Sequence, residues 1–578
     1  MVQTRGKRVA ASPPPEASPA KKQQAKKGKA KATPKFDKSA AAPEPISEKG
    51  DKDDNNDNDK VTDAQVAVTS KLQIPRDEWC PLTSYHVYID PSSKIIYDAS
   101  LNQTNASNNA NKSYFIQLLE GPNGEFRTWT RWGRVGERGQ NATLGNGSFQ
   151  DAVKNFEKKF KEKSGLSWEA RGSDPKTGKY VFVERSYLPD DEDAPVTAGA
   201  PRERRSHSPP KCTLAPPMRS LMELIFNQQH WEAAMVDMGY DNDKLPLGKL
   251  SKATITRGFQ ALKNLAAVMN DPAQAAQYDM TAPAATEHLS NLYYSFIPHN
   301  FSRNCPPVIR SHELLKREVE LLESLSELKA ADEILKAEAD GVEEVHQLDA
   351  RFSGLGMREM TPVQQKSAEF FEISQYLLRT CGQTHAVKYE VKDVFRIERQ
   401  GELDRFEKSP YAAIESDRRL LWHGSRATNY GGILSQGLRI APPEAPVSGY
   451  MFDKGIYLAD MSSKSANYCA SSISGGEALL LLCEAELGNP MQVLKDAQYD
   501  AGETAKKKGL YSTWGMGTTG PKGWKDAACV HPSLDGVTMP DTTQPPGDTG
   551  ADAYLQYNEY ICYDAAQVRL RYLLRVRM

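Results

Sequence analysis

Residues 420–440, LLWHGSRATNYGGILSQGLRI, place a histidine between a short apolar run and a glycine. The apolar run predicts a buried strand that ends at His423, and the small, flexible Gly424 comes next. The residues after it predict a helix with Thr428 as its N-cap and Gly437 as its end. Local sequence alone indicates a strand-to-helix turn, so a chemical role for His423 depends on the rest of the chain.

The sequence C-terminal to this stretch predicts further strands. EALLLLCEAEL, from Glu477, indicates a buried strand, and the final VRLRYLLRVRM alternates with a period of two, which predicts a strand with one buried face. The predicted buried side chains are Val568, Leu570, Tyr572, Leu574, Val576 and Met578. The side chains predicted on the other face are Arg569, Arg571, Arg575 and Arg577. We therefore expect a C-terminal unit that is rich in β-sheet, with helices inserted.

A smaller globular unit is predicted for residues 72–187. YFIQLLE and FRTWTRWGRVG show the alternation that is typical of strands. SFQDAVKNFEKKFKEKSG predicts a helix that Ser148 caps and Gly165 ends, with an apolar stripe at helical spacing. These patterns indicate a small sheet with one helix packed on it.

Residues 213–345 predict an all-helical unit. SKATITRGFQALKNLAAVM has Ser251 as its predicted cap and apolar residues at helical spacing. SHELLKREVELLESLSELKAADEIL continues with an amphipathic pattern that predicts acidic residues on its outer face. Between this unit and the preceding one, residues 188–212 are rich in proline and charge and predict a linker.

The first 71 residues predict a disordered tail whose charge changes sign along its length. Residues 1–40 contain eleven Lys or Arg and two acidic residues, and the acidic DKDDNNDNDK follows. A solvated tail is one interpretation. We favour a nuclear address and phosphate-attracting arm, because clustered cations displace counterions from nucleic acid of any sequence.

The whole chain has 578 residues and a formal net charge of -2, and it is too long for one core. No apolar run could span a bilayer and no signal peptide is present, so we expect an intracellular protein with no membrane partner. Its eight cysteines form no C-x2-C pair and predict no zinc site. The expected fold class is multidomain α+β: a disordered basic tail, a small sheet-plus-helix domain, an all-α domain, and a mixed antiparallel β-rich domain over residues 346–578.

One motif is set aside. GMGTTG, residues 515–520, matches the G-x-G-x-x-G pattern of dinucleotide-binding loops. That kind of site needs a strand before the motif and a helix after it, whereas Pro521 and Gly523 predict a continuing loop. We do not expect a Rossmann-type site.

The candidate site combines His423 with two later stretches, YMFDKGIYLADMSSKSANYC and YNEYICYD. In the first stretch, Ser462 or Ser463 is the predicted N-cap of a helix. That helix places Ser465 and Tyr468, three residues apart, on one face.

The second stretch contains a carboxylate in an apolar and aromatic setting. Strand alternation places Glu559, Ile561 and Tyr563 on the same side. A carboxylate at such a position is costly to bury unless it has partners. Glu559 is therefore a candidate site residue, and solvation at an edge strand is the alternative.

These stretches, together with residues 420–440, resemble the catalytic domain of the DNA-dependent poly(ADP-ribose) polymerases. WTRWGRVGERG resembles the Trp-Gly-Arg domain that precedes it in that family, and LPLGKLSKATI resembles the start of the helical regulatory domain. The resemblance covers residues 76–578 in the same domain order, in a short form without zinc-finger modules. It implies a Trp-Gly-Arg DNA-binding domain at 72–187, a helical regulatory domain at 213–345 and an ADP-ribosyltransferase catalytic domain at 346–578.

The resemblance implies a catalytic triad of His423, Tyr457 and Glu559, with NAD as the substrate and no metal. The implied NAD-binding residues are His423, Gly424, Ser425, Arg439, Tyr450, Ser465 and Tyr468. Gly424 would present its backbone to the nicotinamide carboxamide, and Tyr468 would stack on the ring. Glu559 would stabilise the positive charge that builds on the ribose as nicotinamide leaves.

The resemblance further implies DNA strand breaks as a partner and a nuclear role in DNA repair. The implied DNA-binding residues are Trp132, Arg134, Arg131 and Arg138, for which sheet packing with solvated arginines is the alternative. The helical domain would shield the NAD site until DNA binds.

The expected acceptors are Glu and Asp side chains of chromatin proteins and of the chain itself. This expectation follows from the final LLRVRM, which lacks the aromatic tail of animal relatives, so docking of a serine-directing accessory factor is not expected. Two other functions stay open. One is the transfer of single ADP-ribose units, which Glu559 disfavours, and the other is an inactive scaffold at DNA breaks.

Overall fold

A computed structural model describes most of the chain beyond the predicted tail. The described residues are 65, 74–135, 137–187, 210–242, 245–339, 345–382 and 387–578. The predicted tail at 1–71 and the predicted linker at 188–212 fall almost entirely outside them. Within the described residues, no helix combines the length and the apolar character that crossing a membrane would require.

The first region, up to Tyr187, is an antiparallel sheet with one helix packed on it. Its elements are β1 (His86–Val87), β2 (Asp98–Asn105), β3 (Ala110–Glu120), β4 (Phe126–Arg134), β5 (Gln140–Gly147), α1 (Phe149–Ser164) and β6 (Val181–Val183). The strands lie in the order β5-β4-β3-β2-β6, and β1 pairs with β3. Ser148 caps α1 by accepting a hydrogen bond from the Asp151 N–H, and Gly165 ends it with a φ of 76°. The predicted strands, helix, cap and end are confirmed.

The second region is all-helical, as predicted. Its helices are α2 (Pro216–Ile225), α3 (Gln228–Met238), α4 (Lys252–Asn270), α5 (Ala282–Phe296), α6 (His312–Ala339) and α7 (Gln347–Gly354). Ser251 caps α4 by accepting from the Thr254 N–H, so the predicted cap is confirmed. Leu325 and Leu328 of α6 share one apolar cluster with Ile433, so the core of this region continues into the next.

The third region is rich in β-sheet with helices inserted, as predicted. Its helices are α8 (Ala368–Arg379), α9 (Glu402–Lys408), α10 (Tyr430–Gln436), α11 (Ser462–Ala466) and α12 (Ala501–Lys507). Its strands are β7 (Met357–Pro362), β8 (Glu390–Arg399), β9 (Arg418–Ser425), β10 (Ile456–Leu458), β11 (Glu477–Glu486), β12 (Gln492–Leu494), β13 (Ser512–Gly515), β14 (Gly517–Gly520), β15 (Trp524–Asp526), β16 (Thr538–Pro540), β17 (Gly547–Asp548), β18 (Leu555–Tyr557), β19 (Glu559–Cys562) and β20 (Val568–Arg577).

Two sheets of the third region meet where the candidate residues lie. One sheet has the order β15-β16-β9-β11-β20-β8-β7, and the other has the order β10-β19-β13-β12. Trp422 in β9 and Ala459, just after β10, exchange backbone hydrogen bonds of 2.7 and 2.9 Å. β10 therefore connects the strand that contains His423 to the strand that contains Glu559.

β20 is confirmed as a strand, but the prediction that only one of its faces is buried is wrong. The strand lies between β11 and β8, with structure packed on both sides of the sheet. Leu574 belongs to one apolar cluster, and Leu570 and Leu573 belong to another. Arg571 is also buried, 2.5 Å from Glu484. Register shifts against both neighbouring strands interrupt the alternation on which the prediction rested.

The helix after His423 begins differently from the prediction. α10 has Asn429 as its N-cap residue, and no side chain caps it. A short 3-10 turn, Ala427–Asn429, precedes the helix and moves Thr428 away from the capping position. The Thr428 hydroxyl is buried without a hydrogen-bond partner in the described part of the chain. Gly437 ends α10, as predicted.

GMGTTG is not the loop that the sequence predicted. Gly515 is the last residue of β13, Met516 follows it, and Gly517–Gly520 form β14. The expectation of no Rossmann-type site is consistent with the next element, because it is the strand β15 and not a helix.

Candidate active site

His423 is held as a neutral ring near the end of β9. Its Nδ1 is 3.0 Å from the backbone oxygen of Tyr457 in β10. Because a carbonyl oxygen only accepts, Nδ1 carries the hydrogen and Nε2 keeps its lone pair. Burial lowers the pKa of His423, which favours the uncharged ring at neutral pH. The ring therefore presents Nε2 as a hydrogen-bond acceptor.

Gly424 occupies a position with no room for a side chain. A Cβ there would lie 1.9 Å from the backbone oxygen of Ser465, well inside van der Waals contact. The Ser465 hydroxyl donates to the backbone oxygen of Trp422 at 3.1 Å, and Ser425 accepts from Asn429 Nδ2 at 3.0 Å. The predicted residues Gly424, Ser425 and Ser465 thus lie together, where α11 packs against β9.

The start of α11 differs from the prediction. Its N-cap is Met461, and neither Ser462 nor Ser463 caps it. Both serines instead connect α11 to the end of α8: Ser462 donates to the Leu377 carbonyl at 2.7 Å, and Ser463 accepts from the Gly382 N–H at 2.8 Å. Burial gives these hydroxyls tertiary partners that local capping rules do not consider.

The predicted aromatic residues form the next part of the site. The Tyr457 hydroxyl donates to the Asp453 carbonyl at 2.8 Å and accepts from the Phe452 N–H at 2.9 Å, which fixes the ring. The Tyr450 ring lies 6.3 Å from it, centroid to centroid. Tyr468 is 48% exposed, an open aromatic surface of the kind a ligand can cover.

Glu559 is the first residue of β19, which pairs with the strand of Tyr457. Its side chain is 12% exposed, and Oε1 lies 2.8 Å from the Lys464 Nζ. Lys464 also donates to the backbone oxygen of Tyr557 at 3.1 Å. Burial raises the pKa of Tyr457 and of Tyr468, and the Glu559 charge raises both further, so the carboxylate acts on both rings.

Lys464 is a site residue that sequence reasoning missed. Its side chain is only 14% exposed because it reaches across to β19. The one available signal was its place beside Ser465, and a lysine in a serine-rich segment is usually solvated.

α6 of the second region covers one wall of this site. The Tyr450 hydroxyl donates to Glu323 at 2.5 Å, and Arg439 pairs with Glu327 at 2.6 Å. Burial raises the pKa of Glu323 to about 7. The prediction that the acids of this helix occupy an outer face is wrong for these two, because amphipathicity does not reveal a second packed surface.

Two glycines of α10 allow α6 to approach closely. A Cβ at Gly431 would lie 2.5 Å from the Ala331 Cβ, and one at Gly432 would lie 2.6 Å from the Glu327 backbone oxygen. Both distances are too short for packed atoms, so a side chain at either position would separate the helices.

Trp132 and Arg131, predicted to contact DNA, already have partners within the first region. The Trp132 ring stacks on Tyr114 with a centroid distance of 5.6 Å. Arg131 pairs with Asp77 at 2.8 Å, and its side chain is 13% exposed. Both side chains are therefore oriented by contacts within the first region.

Arg134 and Arg138, the other two predicted DNA contacts, lie at and beyond the end of β4. Arg138 lies over the Trp79 ring at 4.6 Å. Arg134 donates to the backbone oxygens of Asn109 at 2.9 Å and of Ser302 at 3.2 Å. Since Ser302 lies between α5 and α6, Arg134 connects the first region to the helical one.

Three family models match the chain in the order of its three regions. The WGR domain matches residues 97–175, the regulatory domain of poly(ADP-ribose) polymerase matches 212–352, and the poly(ADP-ribose) polymerase catalytic domain matches 367–578. The last match contains β9, β10 and β19, the strands of His423, Tyr457 and Glu559. Fold and site thus define an NAD+ ADP-ribosyltransferase.

The chain belongs to the poly(ADP-ribose) polymerase family. Poly [ADP-ribose] polymerase 2 of Homo sapiens is 39% identical over 530 residues, which cover 90% of this chain and 86% of that protein. Poly [ADP-ribose] polymerase 2-A of Oryza sativa subsp. japonica is 40% identical over 487 residues, 83% of this chain and 70% of that protein. Poly [ADP-ribose] polymerase 1 of Gallus gallus is 38% identical over 500 residues, 86% of this chain and 46% of that protein.

Family membership confirms the predicted class, fold and substrate. The enzyme uses NAD as its substrate and synthesises poly(ADP-ribose) in the DNA damage response. The WGR match fits binding at DNA breaks.

Proposed function

We propose that His423, Tyr457 and Glu559 form the catalytic triad and that Lys464 holds the Glu559 carboxylate. The observation that carries this proposal is the position of β10, which bonds to the His423 ring and pairs with the strand of Glu559. The acceptor Nε2 of His423 would receive a ribose hydroxyl of NAD. Gly424 and Ser465, in contact with each other, would bind the nicotinamide carboxamide.

The proposed reaction exchanges one bond at the ribose carbon. The C–N bond to nicotinamide breaks, and nicotinamide leaves with both electrons of that bond. An acceptor oxygen forms the new C–O bond: a carboxylate acceptor has no proton to lose, and a ribose hydroxyl, the acceptor during chain growth, releases its proton to solvent. Positive charge builds on the ribose between these events, and the Glu559 carboxylate would stabilise it. During chain growth the same carboxylate would polarise the acceptor hydroxyl.

The remaining NAD contacts are proposed on either side of the triad. Tyr468 would stack on the nicotinamide ring, and Ser425 would line the same end. Arg439 and Tyr450 would line the adenosine side. Their contacts with α6 suggest that this side is the one the helical region controls.

The helical region is proposed to restrain the enzyme until DNA binds. Glu323 and Glu327 hold the Tyr450 hydroxyl and the Arg439 guanidinium, which are groups proposed to contact NAD. Substrate and α6 would therefore compete for the same side chains. Loosening of α6 on DNA binding would give NAD access to them.

The raised pKa of Glu323 predicts that this restraint depends on pH. An undocked glutamate has a pKa near 4.5, and burial raises that of Glu323 to about 7. A raised carboxyl pKa means that docking of α6 is most favourable at low pH and weakens as pH rises through 7. We expect DNA-independent NAD turnover, as a fraction of the DNA-stimulated rate, to rise roughly tenfold between about pH 6 and about pH 8.

Glu323→Gln should abolish this rise and keep DNA-independent turnover low. Its amide oxygen can accept the hydrogen bond from the Tyr450 hydroxyl, and it carries no charge at any pH. The matched control is Glu320→Gln, whose carboxylate pairs with Lys316 at 3.9 Å and is more exposed. The Glu320 and Glu327 charges raise the Glu323 pKa and the Lys316 charge lowers it, so the control should retain most of the rise. A full pH rise in Glu323→Gln would contradict the assignment.

DNA strand breaks are proposed to bind at Trp132, Arg131, Arg134 and Arg138. Trp132 would stack at an exposed strand end, and the arginines would contact phosphate. The contact of Arg134 with Ser302 also suits it to relay the bound state to the helical region.

Arg134→Ala is expected to separate DNA binding from activation. DNA-stimulated NAD turnover should fall roughly tenfold, while affinity for nicked DNA falls roughly threefold or less, because the lost bonds to Asn109 and Ser302 join two protein regions. Arg138→Ala is the comparison. It should lower the affinity for nicked DNA and reduce the slope of log affinity against log salt concentration by about one. Affinities measured at several salt concentrations, together with turnover, provide the check. Equal losses of affinity and stimulation in Arg134→Ala would exclude the relay.

The partners and location of the enzyme complete the proposal. Acceptors are proposed to be Glu and Asp side chains of chromatin proteins and of the chain itself, and the location is proposed to be the nucleus. The proposed division of the chain is a tail at 1–71, a WGR domain at 72–187, a linker at 188–212, a helical regulatory domain at 213–345 and a catalytic domain at 346–578.

NAD consumption with and without nicked or blunt DNA, together with product length on a gel, tests this function. Long products that require broken DNA are expected. Single-unit products would indicate a mono-transferase, and no NAD consumption would indicate a DNA-break scaffold.

A further inference from the structure

A second carboxylate, Asp460, lies just beyond β10 and is fully buried. Its Oδ2 accepts hydrogen bonds from Asn558 Nδ2 at 2.8 Å and from the Tyr560 hydroxyl at 3.0 Å. These two residues are the immediate neighbours of Glu559 in the chain. One buried oxygen atom therefore anchors the strand on both sides of Glu559.

The anchored residues are fixed from their other sides too. Asn558 Oδ1 accepts from the Gly517 N–H at 2.8 Å, and the Tyr560 hydroxyl accepts from Arg419 Nη1 at 3.1 Å. A Cβ at Gly517 would lie 2.3 Å from the Tyr557 backbone, so β14 packs directly on the end of β18, and Gly515 pairs with Glu559 at the start of β19. The GMGTTG segment thus shapes the strand that carries Glu559.

Burial of the Asp460 carboxylate carries a free-energy cost for folding. Its second oxygen, Oδ1, is buried and has no hydrogen-bond partner among the described residues. Burial raises the pKa of Asp460 to about 6, and the hydrogen bonds from Asn558 and Tyr560 oppose that rise. A well-packed apolar group would often be as stable at such a position, so stability alone does not account for the carboxylate.

We propose that Asp460 is a positioning residue for ADP-ribose transfer: through Asn558 and Tyr560 it fixes the backbone from which Glu559 faces the reacting ribose. This inference rests on the proposed role of Glu559. Lys464, four residues after Asp460, holds the Glu559 carboxylate itself. The segment 460–464 therefore positions both the backbone and the charged end of that residue.

The test measures kcat and KM for NAD with nicked DNA on the full chain. Asp460→Ala should lower kcat about 30-fold and change KM less than about twofold, because displacing a reacting group by part of an ångström is costly. Asp460→Asn should stay within about threefold of the parent enzyme, since its amide oxygen can accept both hydrogen bonds. Tyr572→Phe, which removes a buried hydroxyl that donates to Glu369 at 2.7 Å, is the control and should leave kcat unchanged.

The same substitutions in the E559Q background separate positioning from a general structural role. If Asp460 acts through Glu559, Asp460→Ala should cost less than about threefold there. An equal loss in both backgrounds, a loss expressed in KM, or no rescue by Asp460→Asn would overturn the inference. If Asp460→Ala lacks a cooperative thermal transition, Tyr560→Phe replaces it in the test. Its kcat should fall about fivefold in the parent enzyme, and the loss should again be smaller in the E559Q background.

The outcome for Glu559 itself distinguishes the two proposals. If Glu559→Gln lowers transfer and Asp460→Ala does not, only the inference about Asp460 fails. If Glu559→Gln is fully active, the proposed triad fails and the inference fails with it.

Discussion

Glu559→Gln is expected to lower ADP-ribose transfer by about 10²- to 10³-fold. Glutamine keeps the shape and burial of the side chain but removes the charge that would oppose the positive ribose. It also removes the ionic partner that lies 2.8 Å from the Lys464 Nζ. Release of nicotinamide in the presence of nicked DNA measures the effect, and product length shows whether any polymer forms.

A matched control for this substitution lies elsewhere in the catalytic region. Glu372 pairs with Lys525 at 2.7 Å, and both side chains are about a quarter exposed. Glu372→Gln removes a similar ion pair from α8, so turnover should be unchanged. Full polymer synthesis by Glu559→Gln would reject the proposed role, and a comparable loss in Glu372→Gln would show that ion pairs in this region act through stability.

Removal of residues 213–345 is expected to raise NAD turnover without DNA by about tenfold or more. The deletion takes away α6 and with it the contacts to Tyr450 and Arg439. The ends of the deleted segment are adjacent, because the Thr213 N–H donates to Asp349 at 2.9 Å. A short Gly-Ser linker can therefore rejoin the chain without distorting the catalytic sheets.

A point substitution tests the same contact in the intact chain. Glu327→Ala removes the partner of Arg439 and should raise DNA-independent turnover severalfold. Glu333 is on the same helix but pairs with Lys252 of the helical region at 3.8 Å, so Glu333→Ala should leave it unchanged. An unchanged basal rate in the deletion variant, measured on protein with a cooperative thermal transition, would defeat the proposed restraint.

Local sequence rules correctly predicted those elements whose ends depend on neighbouring residues alone. Ser148 and Gly165 bound α1 because a side-chain oxygen and a left-handed glycine satisfy the helix termini. The same rules were wrong for Thr428, which is buried in the turn that precedes its helix, and for Ser462, whose hydroxyl donates to a carbonyl of another helix. β20 was predicted as a strand, but Leu573 on its supposedly exposed face is buried by packing that is distant in sequence.

The candidate site was predictable in its residue types more than in its connections. The unfavourable burial of a carboxylate singled out Glu559, and the family resemblance supplied its association with His423 and Tyr457. Nothing local indicated Lys464 or Asp460, because their importance depends on β10 and β19 being paired. Contacts between strands that are about a hundred residues apart follow from topology, which no short pattern contains.

The pair Gly431 and Gly432 has a consequence for the cell's supply of its central redox carrier. With a methyl group at either position, α6 could not pack this closely on α10. If the proposed restraint by α6 holds, the enzyme would then consume NAD without waiting for broken DNA. Such a variant would drain the dinucleotide pool of an undamaged cell. Under the proposed restraint, the absence of side chains at these two positions keeps NAD consumption dependent on DNA damage.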